Sequence, residues 1–344
     1  MSLTRFKSRY LDTILDILWK QWASIGVAGQ YGTGRGRLIV DPEALLLFSG
    51  TMARYDQRLF DEMLDWLVVN NRFINIQRLK TLLKNEGFQS GRVISAVAGF
   101  LANEKSGLKW KSLAGENHGQ DSLDSMFFMN SGQDLPVPGE IDPIFSRYGL
   151  RRNPIVLRGM SEPFPGRGIP SLLLQIRSIL GIGARSEILL YMLLNNETTI
   201  SRISEQTYYA WRSVQDVLFE WGHTPMIDFP AYRRGRTYRL HRDSWSDLLG
   251  IADAHALRWV CWPALYRSLE IIWKVLNDES VLDSGRLEQA AELKHVHDFE
   301  LKNRLFQAGL SSGSGRLEDI GGKAFIDVWI QSIDHILQGI LADI

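Results

Sequence analysis

One cysteine, Cys261, occurs in 344 residues. That excludes a disulfide within the chain. Its setting, WVCWPAL, is apolar and marks a buried thiol rather than a nucleophile or a metal ligand. Neither sign of charge is in excess, because Lys+Arg and Asp+Glu are both 39. Any basic footprint must therefore be local. No stretch approaches the ~20 uninterrupted apolar residues that span a bilayer. Charges interrupt every apolar run of MSLTRFKSRYLDTILDILWKQW, which is not a signal peptide, so the cytoplasm is the expected location and no membrane contact is expected. Proline is scarce outside one segment that holds Pro136, Pro138, Pro143, Pro154, Pro163, Pro165 and Pro170.

Catalytic signatures are missing too. Glycines at 26, 29, 32, 34 and 36 suggest a phosphate loop, which needs a strand before it and a helix after it. Here a helix precedes and the β-like RLIV follows, with no Gly-Lys-Ser/Thr, so a flexible loop or hairpin is expected. There is no nucleophile elbow, zinc pattern or dinucleotide turn in its proper setting. His295, His297 and Asp298 cluster, but residues two apart on a helix point about 200° apart, so the two histidines would not share a metal. No enzyme activity, cofactor or metal is expected.

What is present is helical periodicity. Phe6, Tyr10, Leu11, Ile14, Leu15, Leu18 and Trp22 make one wide stripe over residues 4–25. Asp41-Pro42 is a cap followed by a first-turn proline. Residues 58–102 hold three more helices and echo residues 187–217: Glu62 to Asn71 lies against Glu187 to Asn196, and Ile76, Arg78 and Leu79 against Ile200, Arg202 and Ile203. This predicts a helical domain over 1–105, with either a second helix-turn-helix-like unit or a plain bundle. Residues 106–170 read as a loop-rich connection. Arg147, Arg151, Arg152, Arg158 and Arg167 give it a basic half, which either tracks phosphates or packs on its own protein, the second being preferred. Residues 171–245 form a central module, and 246–344 a C-terminal helical domain in which Pro263 breaks the helix. The last helix is so apolar that it must pack on something, and a second subunit is the expected partner.

Within the central module, the organising stretch runs from Arg185 to Leu240. RSEILLYMLLNN repeats Ile188, Leu189, Met192 and Leu193 at helical steps. Thr199 is placed to cap a short second helix with Ile200 and Ile203 on its apolar edge. In AWRSVQDVLFEW, Ala210, Val214, Val217, Leu218 and Trp221 form one stripe, and Gly222 stops the helix. MIDF and RTYRL, separated by PAYRRG, read as a hairpin. Residues Ile203 to Leu218 and the hairpin after them resemble the winged helix-turn-helix transcriptional regulators over roughly residues 185–240. The fold class expected is therefore mainly α with a small β-hairpin wing, flanked by helical domains. Two positions depart from that pattern. Tyr208 stands where the turn glycine is usual, and Ala210 where a serine cap is usual, so a distorted turn or a third helix starting at Thr207 is expected.

The resemblance implies binding of double-stranded DNA, as a homodimer, in transcription regulation. Arg212 and Gln215 are residue types that read guanine and adenine edges in the major groove. Tyr208, Tyr209 and Ser213 suit phosphates or thymine methyls. Arg233, Arg234, Arg236 and Arg239 suit phosphates or a narrow minor groove. From Arg202 to Arg242, seven arginines face Glu205, Asp216, Glu220 and Asp228, a local +3 on a neutral chain. The alternative expectation is a protein-interaction module, such as an antitoxin that neutralises a partner enzyme. A third is a small apolar effector held by the aromatic C-terminal region.

Overall fold

The structure, a computed structural model, describes residues 2–28, 36–104, 107–115, 122–228, 237–251, 257–310, 317 and 320–344. In chain order the helices are α1 (Leu3–Ser24), α2 (Pro42–Met52), α3 (Gln57–Asn70), α4 (Ile76–Leu82), α5 (Gly91–Ala102) and α6 (Lys111–Ala114). Then come α7 (Leu172–Leu180), α8 (Ala184–Leu194), α9 (Ile200–Thr207), α10 (Trp211–Trp221) and α11 (Arg242–Leu249). They are followed by α12 (Trp262–Leu276), α13 (Glu279–Leu282), α14 (Arg286–Val296), α15 (Lys302–Gln307) and α16 (Ala324–Asp343). Among the described residues there are two small sheets: β1 (Asp124–Ser125) parallel to β2 (Leu150–Arg151), and β3 (Ile227–Asp228) antiparallel to β4 (Arg239–Leu240). The protein is mainly α. Among the described residues no helix is long and apolar enough to cross a membrane.

Local chemistry starts these helices. Ser2 caps α1 and Asp41 caps α2, each accepting from a backbone N–H three residues on. The stripe expected on α1 is buried, with Leu15 partly covered. Pro263 begins α12 rather than breaking it, since a first-turn proline loses no intrahelical bond. The Gly-rich segment between 26 and 36 falls largely at 29–35, outside the described residues.

Two apolar cores form. The larger unites α1–α5 with α12 and α14–α16, so helices from both ends of the chain share one interior. Almost wholly buried, α2 lies at its centre, with Phe48 stacked on Tyr266 at 4.7 Å. The apolar face of α16 packs on α1 and α14, with Trp329 edge-on to Phe6 at 6.0 Å. This corrects the expected second-subunit role, because that face is spent within the chain. The smaller core is the central module.

Two arginines of the basic segment, Arg152 and Arg158, reach onto their own protein, while Arg147 and Arg167 are exposed. Arg152 sits among Phe60, Phe127 and Phe145 and pairs with Asp61 at 2.7 Å, while Arg158 pairs with Glu62 at 2.5 Å. The buried Asp65 carboxylate accepts the N–H groups of Gly159, Met160 and Ser161 at 3.2, 2.8 and 2.9 Å. A strap of backbone donors thus closes over α3.

The two cores meet at a buried ionic cluster. Arg177 of α7 donates to both Glu43 oxygens at 2.7 Å, to the Phe73 carbonyl at 2.7 Å, and to Glu187 of α8. Arg78 donates to Asp41 at 2.8 and 2.5 Å and to Glu43 at 2.9 Å. All five side chains are buried. Burial would raise Asp41, but the Arg78 guanidinium outweighs it and holds the carboxyl below its usual range. Burial dominates at Glu187 and raises its carboxyl above 4.5. One Glu187 oxygen has no hydrogen-bond partner.

Arg177→Met should therefore cost about 3–5 kcal/mol in urea unfolding, because it leaves Glu187 buried without its cation and Glu43 with Arg78 alone. Glu187→Gln keeps the acceptor facing Arg177 and leaves two carboxylates with two guanidiniums, so it should cost less than about 1.5 kcal/mol. The folded state also binds a proton at Glu187 more tightly than the unfolded chain. Its contribution to stability is present below pH 4.5 and lost as pH rises through the elevated folded value. Unfolding measured across that window should fall more with pH in the parent protein than in E187Q. Equal slopes would show that Glu187 does not carry the effect.

Candidate nucleic-acid interface

The central module is a three-helix unit edged by a hairpin. Ile188, Leu189, Met192 and Leu193 of α8 meet Ile203 of α9 and Val214, Val217 and Leu218 of α10, with Ile227, Tyr238 and Leu240 closing the core. These are the stripes read from the sequence, save that Ala210 is exposed. The Thr199 hydroxyl caps α9, accepting from the Arg202 N–H at 3.2 Å. β3 pairs with β4 in the register Ile227 to Leu240 and Asp228 to Arg239. Thr198, between α8 and α9, bridges Tyr238 through two backbone bonds of 3.1 and 2.7 Å. The hairpin tip, residues 229–236, lies outside the described residues and holds Arg233, Arg234 and Arg236.

The turn between α9 and α10 corrects the expectation of an early helix start and keeps the conformation of the glycine it lacks. Helix α10 starts at Trp211 after Ala210, which gives no side-chain cap, so it does not start at Thr207. Tyr208 has φ 62° and ψ 28°, the left-handed conformation a turn glycine would adopt. It is the one non-glycine residue with positive φ among the described residues. A left-handed L-residue costs roughly 1–2 kcal/mol. The side chain offsets it. Its hydroxyl donates to Glu86 at 2.6 Å and accepts from Gln307 at 3.4 Å. Glu86 also holds Arg304. The next residue, Tyr209, accepts from the Asn75 amide at 2.8 Å. The Trp259 indole donates to Gln206 at 2.7 Å. Burial raises both tyrosine hydroxyls above their ordinary values.

Tyr208 and Tyr209, read as DNA contacts, are thus engaged with the helical body. Arg212, Ser213 and Gln215 are exposed together on the outward face of α10. Arg212 makes no ion pair among the described residues. Arg239, also exposed, pairs with Glu197. Arg202 pairs with Glu205 at 3.4 Å and Arg185 with Glu220. Exposed pairs of this kind are worth about 0–1 kcal/mol, so an arginine can exchange its carboxylate for a phosphate at little cost. The same helix exposes Trp211 and Phe219 and carries Asp216 and Glu220.

The echo between residues 58–102 and the central module has a structural counterpart. Asn75 caps α4 as Thr199 caps α9, and Asn70 and Asn195 each donate to the carbonyl four residues back. The likeness ends at the third helix. No residue of α5 is exposed, and the Tyr148 ring lies against Gly99 so closely that a Cβ there would meet its hydroxyl at 2.5 Å. An enclosed helix cannot enter a groove, so of these two third helices α10 alone is free to read one. The histidines near 295 diverge as expected: His295 lies tilted against Phe299, while buried His297 faces Phe325.

Tyr208→Phe should cost about 1–3 kcal/mol, because Glu86 loses a buried donor. Tyr208→Gly relieves the backbone but leaves a cavity whose cost is about 3–5 kcal/mol, so it too should destabilise. Urea midpoints test both, and a stabilised glycine variant would overturn the role given to the ring. Comparison with known proteins finds no family model that matches this chain, no matching curated protein and no matching solved structure.

Proposed function

We propose that residues 184–240 act as a winged helix-turn-helix that binds duplex DNA, and that the protein is a non-catalytic regulator. The observation that carries this reading is the outward face of α10. It presents Arg212, Ser213 and Gln215 near the helix N-terminus, over an inward apolar stripe that shares its core with Ile227 of β3 and Leu240 of β4. Arg212 and Gln215 have the forked donor and acceptor geometry that reads guanine and adenine edges. Ser213, Arg239 and the hairpin residues Arg233, Arg234 and Arg236 supply phosphate contacts, which position without specifying. Tyr208 and Tyr209 hold the turn to the body. With the α16 face already used, each chain presents one reading module, and pairing of two chains would use another surface.

A second reading, capture of a partner protein by an antitoxin-like module, is favoured by the exposed Trp211 and Phe219 and by Asp216 and Glu220 on the same helix. Aromatic anchors suit protein interfaces and acids repel phosphates.

Gel retardation of a labelled random-sequence duplex over a salt series separates the two. DNA binding should weaken steeply with salt, by about 0.9 in the log–log slope per phosphate contact. In sites selected from the random pool, Arg212→Ala or Gln215→Ala should lose about 1–3 kcal/mol of base discrimination. Replacing Arg233 and Arg234 should weaken binding to all sequences alike. An absence of retardation at low salt would end the DNA reading.

A further inference from the structure

We propose that the groove between residues 164–168, α7 and α11 pairs with the same groove of a second copy of this chain, giving a two-fold dimer. This supplies the pairing surface that the α16 face does not. It stands whether or not α10 reads DNA.

Three segments build the groove. Residues 164–168 form one side, Gln175 to Ile179 of α7 another, and Asp247 to Gly250 at the end of α11 a third, around ≈ 620 Å³. Its apolar surface is Ile179 and Leu248, 56% and 62% exposed, with Phe164 and Leu249 half-buried beside them. A single exposed apolar side chain is ordinary, but several gathered in one groove mark an interaction surface. Gly166, Gly168 and Gly250 also line the groove. They carry no side chains, so another backbone can come close there.

The polar groups select the occupant. The Gln175 amide donates to the Gly168 carbonyl at 2.8 Å and to Ser171 at 2.9 Å, and the Ser178 hydroxyl donates to the Leu174 carbonyl at 2.9 Å. These donors are spent within the chain. Arg167 and Asp247 are not. Both are exposed at the groove, and neither makes an ion pair or a side-chain hydrogen bond among the described residues. One cation with one anion has no net attraction for a phosphate chain. It suits a surface that carries the same two charges in reverse order, and a second copy is such a surface. Under a two-fold axis through the groove, Arg167 of each copy meets Asp247 of the other, and Leu248 of each faces Ile179 of the other. The charge pairs fix the register, and the apolar contact supplies affinity. Helix α10 contributes no residue to this groove.

Sedimentation equilibrium without DNA, over a concentration series, tests the pairing. The parent protein should reach twice the chain mass. Arg167→Asp and Asp247→Arg each put like charges together at both crossings. Each variant should therefore dimerise roughly 100-fold more weakly, with its urea midpoint unchanged because both side chains are exposed and unpaired. An equimolar mixture of the two variants restores an Arg–Asp pair at each crossing and should regain the parent's affinity. A pair formed within one chain, or a contact with another protein, would give no such recovery. A parent protein that stays monomeric, single variants that dimerise like the parent, or a mixture no tighter than either variant alone overturns the pairing. Each of those results leaves the DNA reading of α10 to its own test.

Discussion

The Arg177 guanidinium is the joint on which the architecture turns. Its three nitrogens together donate to acceptors from three parts of the chain: the start of α2, the turn before α4, and α8. Moving an ion into a protein interior costs several kcal/mol, and attraction repays it only where geometry is good and other donors and acceptors are satisfied. Most of that condition is met here: Arg78, Asp41 and Glu43 complete the cluster and Asn75 donates its N–H to Glu43 at 2.7 Å, while one Glu187 oxygen and the Arg78 Nε stay without a hydrogen-bond partner. An apolar interface between the two cores would slide. A set of bidentate ion pairs has one geometry, so the central module has one orientation on the body.

That orientation determines what the third helix can do. The turn before it carries the strain of a left-handed tyrosine, and the ring that causes the strain also ties the turn to Glu86 and, through it, to Arg304. Tyr209 and Gln206 add two more ties. As a result α10 leaves the turn with its N-terminal residues outward and its stripe inward, and α4 stands alongside. The equivalent helix in the first half of the chain, α5, became core once Tyr148 and the segment around β2 closed over it. Two segments with the same local signals thus end in opposite environments.

Local signals were readable because they act over three or four residues. The stripes of α1, α8 and α10, the caps Asp41 and Thr199, and the hairpin strands each follow from spacing or from one side chain meeting a nearby backbone donor. The unusual residue at 208 was visible as a departure from a pattern. What it meant was not, because Glu86 lies 122 residues away. The arginines show the same limit. Arg78, Arg152, Arg177 and Arg212 look alike along the chain, yet the first three are buried in ion pairs and the fourth is exposed. The acids that claim Arg152 and Arg177, Asp61 and Glu43, stand 91 and 134 residues off.

By itself, then, the sequence determined a mainly helical chain, with no excess of either charge and a helix–turn–helix–hairpin module at its centre. Periodicity and capping are short-range effects and survive any arrangement of the rest. Only the tertiary structure decided which stripes face each other and which cations are spent inside. It joined α16 to α1 rather than leaving its face for a partner, laid the basic strap on α3, and drew Tyr208 and Tyr209 into the body. Those outcomes depend on desolvation and on carboxylates brought in from distant segments, which residue spacing does not encode.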